Sequence, residues 1–406
     1  MNIWLSQTGE SLPLSDKAKK MRTALLADKL IERGHSVVWW ASTFDHSTKR
    51  CIVRNDHEFT VKDGFKICAI KGLGYKRNIS LARFINNRII ARKFKKLASR
   101  MPKPDIIVAS IPAHDLAYEA VIFAKNNKIP VLVDIRDEWP DLFLSLFPRV
   151  CHRFLRVLLY REFQMLQKAL SGADGLVAVS GSFLEWGLKY VSRPQSDNDK
   201  VFYLGGIKLS AGSMLKKTAL LDSLAGKFIV IFVGTFVKNN NPSILVACAK
   251  ELKGADIHFV LAGDGELWRK VKKEAKGLSN VSFPGWLSKE EADILLQNSH
   301  LGVCPALVTR DSFPNKAFSY FSAGLPVISG FAGDLKKIIE GKQCGFYYSP
   351  PDNVKMLVSY IRKLYNDKAL CQKMSINARK LFDDEFDADK IYEEYARHIE
   401  KVGTQV

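Results

Sequence analysis

Along the chain, short apolar runs of strand length alternate with stretches in which apolar residues recur every three or four positions, the spacing of one helix face. In the first half the runs are Asn2 to Leu5, Ser36 to Ala41, Ile106 to Ala109, Val131 to Ile135 and Gly175 to Val179. Between the first two, Met21, Leu25, Leu26, Leu30 and Ile31 keep helical spacing until Gly34-His35 breaks it. Strand, glycine-containing loop, helix and strand in succession predict a parallel sheet with helices on both faces. The pattern then restarts with Lys227 to Gly234, Ile257 to Gly263, Val281 to Phe283, Leu301 to Cys304 and Pro326 to Ser329. Polar or irregular stretches at Ser192 to Asp199 and Leu209 to Leu224 separate the two series and put a boundary near Gly205-Gly206. The expected fold class is α/β, with two doubly wound (Rossmann-like) domains at residues 1–206 and 207–384. Such domains bind ligands at the carboxyl ends of their strands, so the two are expected to face one another across a cleft. A charged stretch of helical pattern, Glu385 to Lys401, closes the chain.

Length agrees with this division, since 406 residues exceed what one growing core accommodates. With 47% hydrophobic and 25% charged residues the chain has globular composition. No apolar run reaches membrane-spanning length, and MNIWLSQTGE lacks the basic start and apolar stretch of a signal peptide, so a cytoplasmic location is expected. Seven cysteines stand singly, with no CxxC pair and no His cluster at metal-ligand spacing, which favours reduced thiols over a metal site.

The formal charge of +19 is uneven, because residues 1–200 hold 33 basic and 20 acidic side chains. The first half is therefore the expected face for an anionic partner. Twelve Lys or Arg and no acidic residue lie between Asp63 and Asp105, with Leu81, Ile85, Ile89 or Ile90, Phe94, Leu97 and Met101 forming an apolar stripe. Residues 66–103 accordingly read either as a basic amphipathic surface helix meeting anionic lipid headgroups or as a core-packed helix with a solvated basic face. Arg149 to Lys168 is a second such stretch, for which core packing is the favoured reading. Nucleic acid is not the expected partner: no zinc-finger spacing, RRM aromatic motif or helix-turn-helix accompanies the charge.

The stretch DSFPNKAFSYFSAGLPVI, residues 311–328, carries the most chemistry. Pro314 suits the first turn of a helix, where its missing N–H has no partner to lose. Phe313, Ala317 and Phe321 share an apolar face with Phe318 beside it, while Asn315, Ser319 and Ser322 form a polar one. Ala323-Gly324 ends the helix and Pro326-Val327 enters a strand. Bare N–H groups near Ser312 to Lys316, with the Lys316 ammonium, would make an anion site. Asp311 just before them could accept hydrogen bonds from hydroxyls. Together they suit a ligand joining a diphosphate to hydroxyl groups, although an ordinary capped helix feeding a sheet has the same pattern.

The same stretch resembles the region of retaining GT-B glycosyltransferases of family 4 in which a Glu, seven residues and a second Glu precede Ala-x-Gly-x-Pro-Val. Other fragments of the resemblance are Asp134-Ile-Arg136-Asp137-Glu-Trp139-Pro140, Ala173-Asp174-Gly-Leu-Val-Ala-Val-Ser180, Val233-Gly234, Ala262-Gly263-Asp264-Gly265 and Asn280-Val-Ser-Phe-Pro-Gly285. The Arg-Asp-x-Trp-Pro element is similar to the branch that assembles bacterial surface polysaccharides on a lipid carrier. The resemblance implies a nucleotide-sugar donor and transfer with retention; a polyprenyl-diphosphate-linked acceptor at the inner membrane face would unite it with the basic segment, and no required metal and no other cofactor are expected. It puts the donor-sugar contact on Asp311, the ribose contact on Ser319 and the diphosphate on the helix start with Ser312, Phe313, Asn315 and Lys316. Gly9 would give the sugar phosphate room, Gly263 and Gly265 would turn beside the nucleotide, and Gly285-Trp286 would lie at the base pocket.

Several positions depart from the family's pattern. Ser319 replaces the second Glu, and a hydroxyl cannot accept two ribose hydrogen bonds as a carboxylate does. Thr235 and Asn240 stand where relatives carry an Arg and a Lys, leaving Lys238 as the stand-in. Arg136 occupies the place of a catalytic His, either binding donor groups or serving as a structural partner of Asp134 or Asp137. A non-catalytic sugar-nucleotide-binding protein and a sugar-nucleotide epimerase of the same fold remain the alternatives. Two Asp-x-Asp pairs, Asp197/Asp199 and Asp387/Asp389, read as solvent-facing charge. The closing helix is expected, by resemblance, to pack back on the first domain.

Overall fold

The computed structural model describes residues 1–15, 20–78, 80–145, 147–209, 219–308, 312–351 and 353–405. It divides into two units, one of Met1–Tyr203 with Tyr392–Val406 and one of Leu204–Ile391.

The first unit is built on an eight-stranded sheet. Across it run Lys200–Val201, Gly175–Ala178, Val131–Ile135, Ile106–Ile111, Asn2–Ser6, Ser36–Ser42, Phe65–Ile70 and His57–Lys62. Pairing is parallel throughout except for His57–Lys62, which lies antiparallel on Phe65–Ile70. The chain starts in the middle, builds outward to one edge and returns to build the other half, so its order reverses between Asn2–Ser6 and Ile106–Ile111. Helices cover both faces, which is why the central strands read as continuous apolar runs rather than alternating ones. One face is an aromatic core in which the Trp4 and Trp40 rings lie 5.1 Å apart and Phe94 stands edge-on to Trp40 at 4.9 Å.

In the second unit all six strands are parallel, in the order Val281–Gly285, Ile257–Ala262, Phe228–Val233, Leu301–Cys304, Val327–Ser329 and Gly345–Tyr347. Here the reversal falls between Phe228–Val233 and Leu301–Cys304. These two strands pair only at Val230 with Leu301 and Ile231 with Gly302. Beyond that point the buried Tyr320 hydroxyl joins them, accepting from the Val233 amide at 3.1 Å and donating to the Val303 carbonyl at 3.2 Å. Gly302 is required beneath it, because a Cβ there would lie 2.5 Å from the Tyr320 ring.

Several expectations change. The stretch after Pro314 becomes helical at Asn315, one residue past the proline, which is the N-cap. In the helix Leu81–Ala98 it is Ile90, Ala91, Phe94 and Ala98 that are buried, so its later turns are core-packed. The basic run 66–103 is also less one-sided than its sequence suggests, because acidic partners arrive from outside it. Lys66 pairs with Glu58, Arg88 with Glu162, Lys93 with Asp56 and Lys95 with Glu119. Asp199 and Asp387 are buried rather than solvent-facing. Asp199 accepts from Arg193, Ser196 and the Leu176 amide, and Asp387 pairs with Lys208. A backbone that crosses between elements leaves donors to satisfy, and these carboxylates meet them.

The closing helix spans Ala388–Gly403, and its residues from Tyr392 onward belong to the first unit. There Tyr395 stacks on Phe202 at 4.6 Å, while Arg33 pairs with Glu393 and Glu400. Among the described residues no helix is long and apolar enough to cross a membrane.

Candidate functional site

In the second unit, the point of strand-order reversal collects the residues of interest. Open parallel sheets leave a crevice there, because the connecting loops diverge to opposite faces. Phe228–Val233 ends in Gly234, at a φ of 147°, and the helix Asn315–Ser322 follows from the neighbouring strand. Its inward face buries Ala317, Phe318, Tyr320 and Phe321. Lys316 points its ammonium to 4.0 Å from the centre of the Phe232 ring. That ammonium is buried without a hydrogen-bond partner. A Cβ on Gly234 would come within 3.2 Å of it, so the charge sits directly under the strand-end loop. Burial lowers the Lys316 pKa to about 8, only weakly opposed by the neighbouring Cys304.

Gly263, after Ile257–Ala262, abuts the same loop. A Cβ there would lie 1.9 Å from the Gly234 carbonyl oxygen, and one on Gly265 would lie 2.7 Å from that of Phe236. Both glycines are thus demanded by backbone packed on backbone. Thr235 and Lys238 are exposed on the intervening loop, where the Lys238 amide donates to Glu266 at 3.2 Å. Gly285 has φ 81° and accepts from the Gly263 amide at 2.7 Å. Beside it Trp286 is 74% exposed, an aromatic face on the same sheet end.

Asp311 lies outside the described residues. Ser312 is half-buried just before the helix, Asn315 is exposed at its first position and Ser319 is half-buried one turn on. Phe313 stacks on Phe318 at 4.5 Å and meets Phe386 edge-on at 5.4 Å. Its ring is therefore used in packing, and what it can offer a ligand is main chain. The structure thus brings Lys316, Thr235, Lys238, Gly263, Gly265, Gly285 and Trp286 to one end of one sheet.

Gly9 and Arg136 belong to the other unit. Gly9 is exposed, and its amide donates to the Gln7 side chain at 2.8 Å. Arg136 Nε donates to Asp134 at 2.7 Å, and its Nη1 donates to Glu10 and, at 3.0 Å, to Thr23. Arg22 holds the same Asp134 through two bonds of 3.1 Å and donates to the Phe202 carbonyl at 2.7 Å. Glu10 also accepts from the Thr23 amide at 3.0 Å. Burial opposes ionisation of Asp134, but the charges and hydrogen bonds of Arg136 and Arg22 outweigh it and hold its pKa below the usual carboxylate range. Two arginines and two carboxylates thus form a closed buried group. Sequence reading paired Arg136 with Asp134 as one option but missed Glu10 and Arg22, for which residue spacing carries no signal.

A further polar cluster, also missed, lies between helices of the first unit. His114 Nε2 lies 2.5 Å from Glu162, which Arg88 also meets at 2.6 Å. Asp115 stands beside them, its pKa raised mainly by burial. These three acidic and imidazole groups are close enough to share a cation. The Arg88 guanidinium already lies among them, 3.7 Å from Asp115 and bonded to Glu162, so protein charge balances the group.

The family profile "Glycosyl transferases group 1" matches residues 221–381. The "O-antigen chain mannosyltransferase C" of Escherichia coli is 25% identical over 240 residues, a match covering 58% of this chain and 63% of that relative, less than two thirds of its length. Among solved structures, the sucrose-phosphate synthase of Thermosynechococcus elongatus superposes with a TM-score of 0.73 at 16% identity, covering 99% of this chain and 98% of that one. The Anabaena protein HepE, solved in complex with UDP, superposes with a TM-score of 0.69 at 16% identity over 98% of this chain and 99% of its own. Residues 221–381, which hold the buried Lys316 and the glycine loops around it, are thus similar to the glycosyl transferases group 1 family, within a chain of GT-B fold.

Proposed function

We propose that the protein transfers a sugar from a nucleotide-diphosphate donor to a lipid-linked or saccharide acceptor, with retention of configuration, in bacterial surface-polysaccharide synthesis. The observation that carries this reading is the Lys316 ammonium, buried, unpartnered and set under the loop at Gly234. A buried charge without a partner is costly, so its natural complement is an anion delivered by a ligand. The amide donors at the start of the helix Asn315–Ser322 suit the same anion. The 25% identity to a protein named as an O-antigen mannosyltransferase supports the acceptor class.

In this reading the donor diphosphate lies against Lys316 and the helix start, with Lys238 and Thr235 on the adjoining loop and Trp286 stacking on the base. Asp311 takes the donor hydroxyls and Ser319 the ribose. Within the first unit Arg136 anchors its own loop, since its Nε and Nη1 are engaged by Asp134, Glu10 and Thr23. Glycosyl transfer passes through an oxocarbenium-like state while negative charge builds on the departing diphosphate, and preorganised donors stabilise that charge. The leaving phosphate takes the acceptor proton, so no separate base is needed. Metal is not required, because lysine and amides supply the positive charge and both Asp199 and Asp387 are committed to internal bonds.

Incubating the protein with radiolabelled UDP-, GDP- and dTDP-sugars and a membrane lipid extract tests the proposal. Label should enter the lipid phase from one donor and should still do so in EDTA. Failure with every donor, alongside donor binding, would leave the binding-only alternative that Ser319 keeps open.

Lys316 also predicts a pH dependence. Because burial holds its pKa near 8, the ammonium is lost as pH rises through that value, and an anionic ligand that favours the charged form pulls a proton back. Affinity for the nucleoside diphosphate should therefore fall between pH 7 and 9. Binding at pH 8.5 should take up a proton, read as a calorimetric enthalpy that changes with the buffer's ionisation heat.

A further inference from the structure

We propose that the first unit carries an anion subsite, formed by Lys49, His46 and Arg83, that takes a carboxylate or phosphate borne on the acceptor sugar; resting on the sugar-transfer reading, this narrows the acceptor to an acidic saccharide. The three side chains come from loops at the carboxyl ends of neighbouring strands, the end at which open parallel sheets take ligands. After Ser36–Ser42 the chain makes a small hairpin, Phe44–Asp45 on Arg50–Cys51, whose turn holds His46 and Lys49. Lys49 sits there at a φ of 58°, a left-handed conformation that is costly for a lysine and fixes where its side chain leaves the turn. Asp45 locks the turn by accepting from the Ser47 and Thr48 amides at 2.8 Å. After the adjacent strand Phe65–Ile70, the loop into the helix Leu81–Ala98 presents Tyr75, and the first helical turn presents Arg83. That loop is pinned as well, since the Gly74 amide donates to Asn86 at 2.8 Å and the Tyr75 ring packs on Phe44 at 4.8 Å.

Around Tyr75 the cations converge. The Lys49 ammonium lies 5.0 Å and the Arg83 guanidinium 5.7 Å from the centre of its ring, and Arg83 is also 4.8 Å from that of Trp139. The Tyr75 hydroxyl meets His46 Nδ1 at 2.6 Å, and the Lys49 ammonium approaches the same nitrogen at 3.5 Å. Burial, reinforced by the charges of Lys49 and Arg83, lowers the His46 pKa to about 4, so the ring is neutral at pH 7. With Nδ1 accepting, its proton is on Nε2. Lys49 donates to the Asn78 side chain and Arg83 to the Asn78 carbonyl, neither of which carries charge. Asp45, the carboxylate whose charge reaches Lys49 and His46, is committed to Ser47 and Thr48. An aromatic face attracts cations but offers no lone pair, so the ammonium, the guanidinium and the imidazole N–H keep donors for a ligand. Two held positive charges beside a neutral donor match an anion with several acceptor oxygens, whereas a sugar hydroxyl leaves the charge unanswered. The donor diphosphate has its own counter-charge at Lys316 in the second unit, which leaves this one for the other substrate.

Calorimetric titration of the full chain with glucuronic acid, galacturonic acid, glucose 6-phosphate, glucose and inorganic phosphate, in the absence of donor, tests the subsite. At least one acidic sugar should bind about tenfold or more tighter than both glucose and inorganic phosphate, and which one does so tells a carboxylate from a phosphate. Lys49→Gln and Arg83→Gln should each lower that affinity by about tenfold, while Lys49→Arg keeps most of it. Lys316→Met should leave it unchanged, which separates the subsite from the donor site. Unaltered far-UV dichroism and thermal midpoints would show that the variants fold. Acidic sugars that bind no better than glucose, or inorganic phosphate that binds as tightly as glucose 6-phosphate, would overturn the proposal. Such a result alongside label transfer into lipid would strike the subsite and spare the transfer reading; acidic-sugar binding without transfer from any donor would do the reverse.

Discussion

Replacing Lys316 with methionine should abolish most transfer while making the protein more stable. Methionine keeps the length and apolar contact of the lysine stem on Phe232 and removes only the ammonium. In the free protein that ammonium is an expense: a shift of its pKa from 10.5 to about 8 corresponds to a penalty on the order of 3 kcal/mol at pH 7. The sign follows from proton counting. Between pH 8 and 10.5 the unfolded chain holds a proton that the folded one has released, so wild-type stability rises with pH across that window. The methionine variant should lose this rise and melt at a higher temperature than wild type at pH 7. Its turnover should nevertheless fall by about 100-fold to 1,000-fold, the loss expected when a preorganised charge partner of the leaving group is removed. A variant that keeps its turnover would refute the role given to Lys316. Proton uptake on binding nucleoside diphosphate should vanish in the same variant.

Asp134→Asn should act in the opposite way, through the fold. Asp134 is fully buried and is the shared acceptor of Arg22 and Arg136. Asparagine leaves both guanidinium groups with a neutral partner, and removing one member of a buried ion pair costs about 3–5 kcal/mol. The Arg22 guanidinium also lies 5.0 Å from the centre of the Tyr395 ring and bonds the Phe202 carbonyl, so its displacement reaches the closing helix as well as the sheet. Urea denaturation should show the loss directly. Because the wild-type carboxyl is held below its usual range, its contribution is present above the unfolded pKa and disappears as pH falls through the folded one. The gap between wild type and variant should therefore narrow in acid. An Asp134→Asn protein as stable as wild type at pH 7 would show the cluster to be dispensable.

Much of the architecture was legible in the residue pattern. The run Phe228 to Val233 and its counterparts lie where strands form, because a strand buried on both faces needs unbroken apolar residues and that need is local. Pro314 and the residues after it likewise marked a helix start, since backbone donors at a helix end are a property of that end alone. The short strands Gly345–Tyr347 and His57–Lys62 were missed, being too brief or too polar to show a period.

What the amino-acid order determined by itself was the succession of elements and the placing of Lys316 beside a helix N-terminus. Only the tertiary structure decided which charges are available. Arg136 and Glu10 are 126 residues apart in the chain yet share a buried bond, and Lys93 meets Asp56 across 37. It likewise left Lys316 unpaired and turned Phe154 and Val157 outward. The reason is physical: secondary structure follows from neighbours a few positions away, whereas the neutralisation of a charge or the covering of an apolar face depends on whatever distant segment the fold brings beside it.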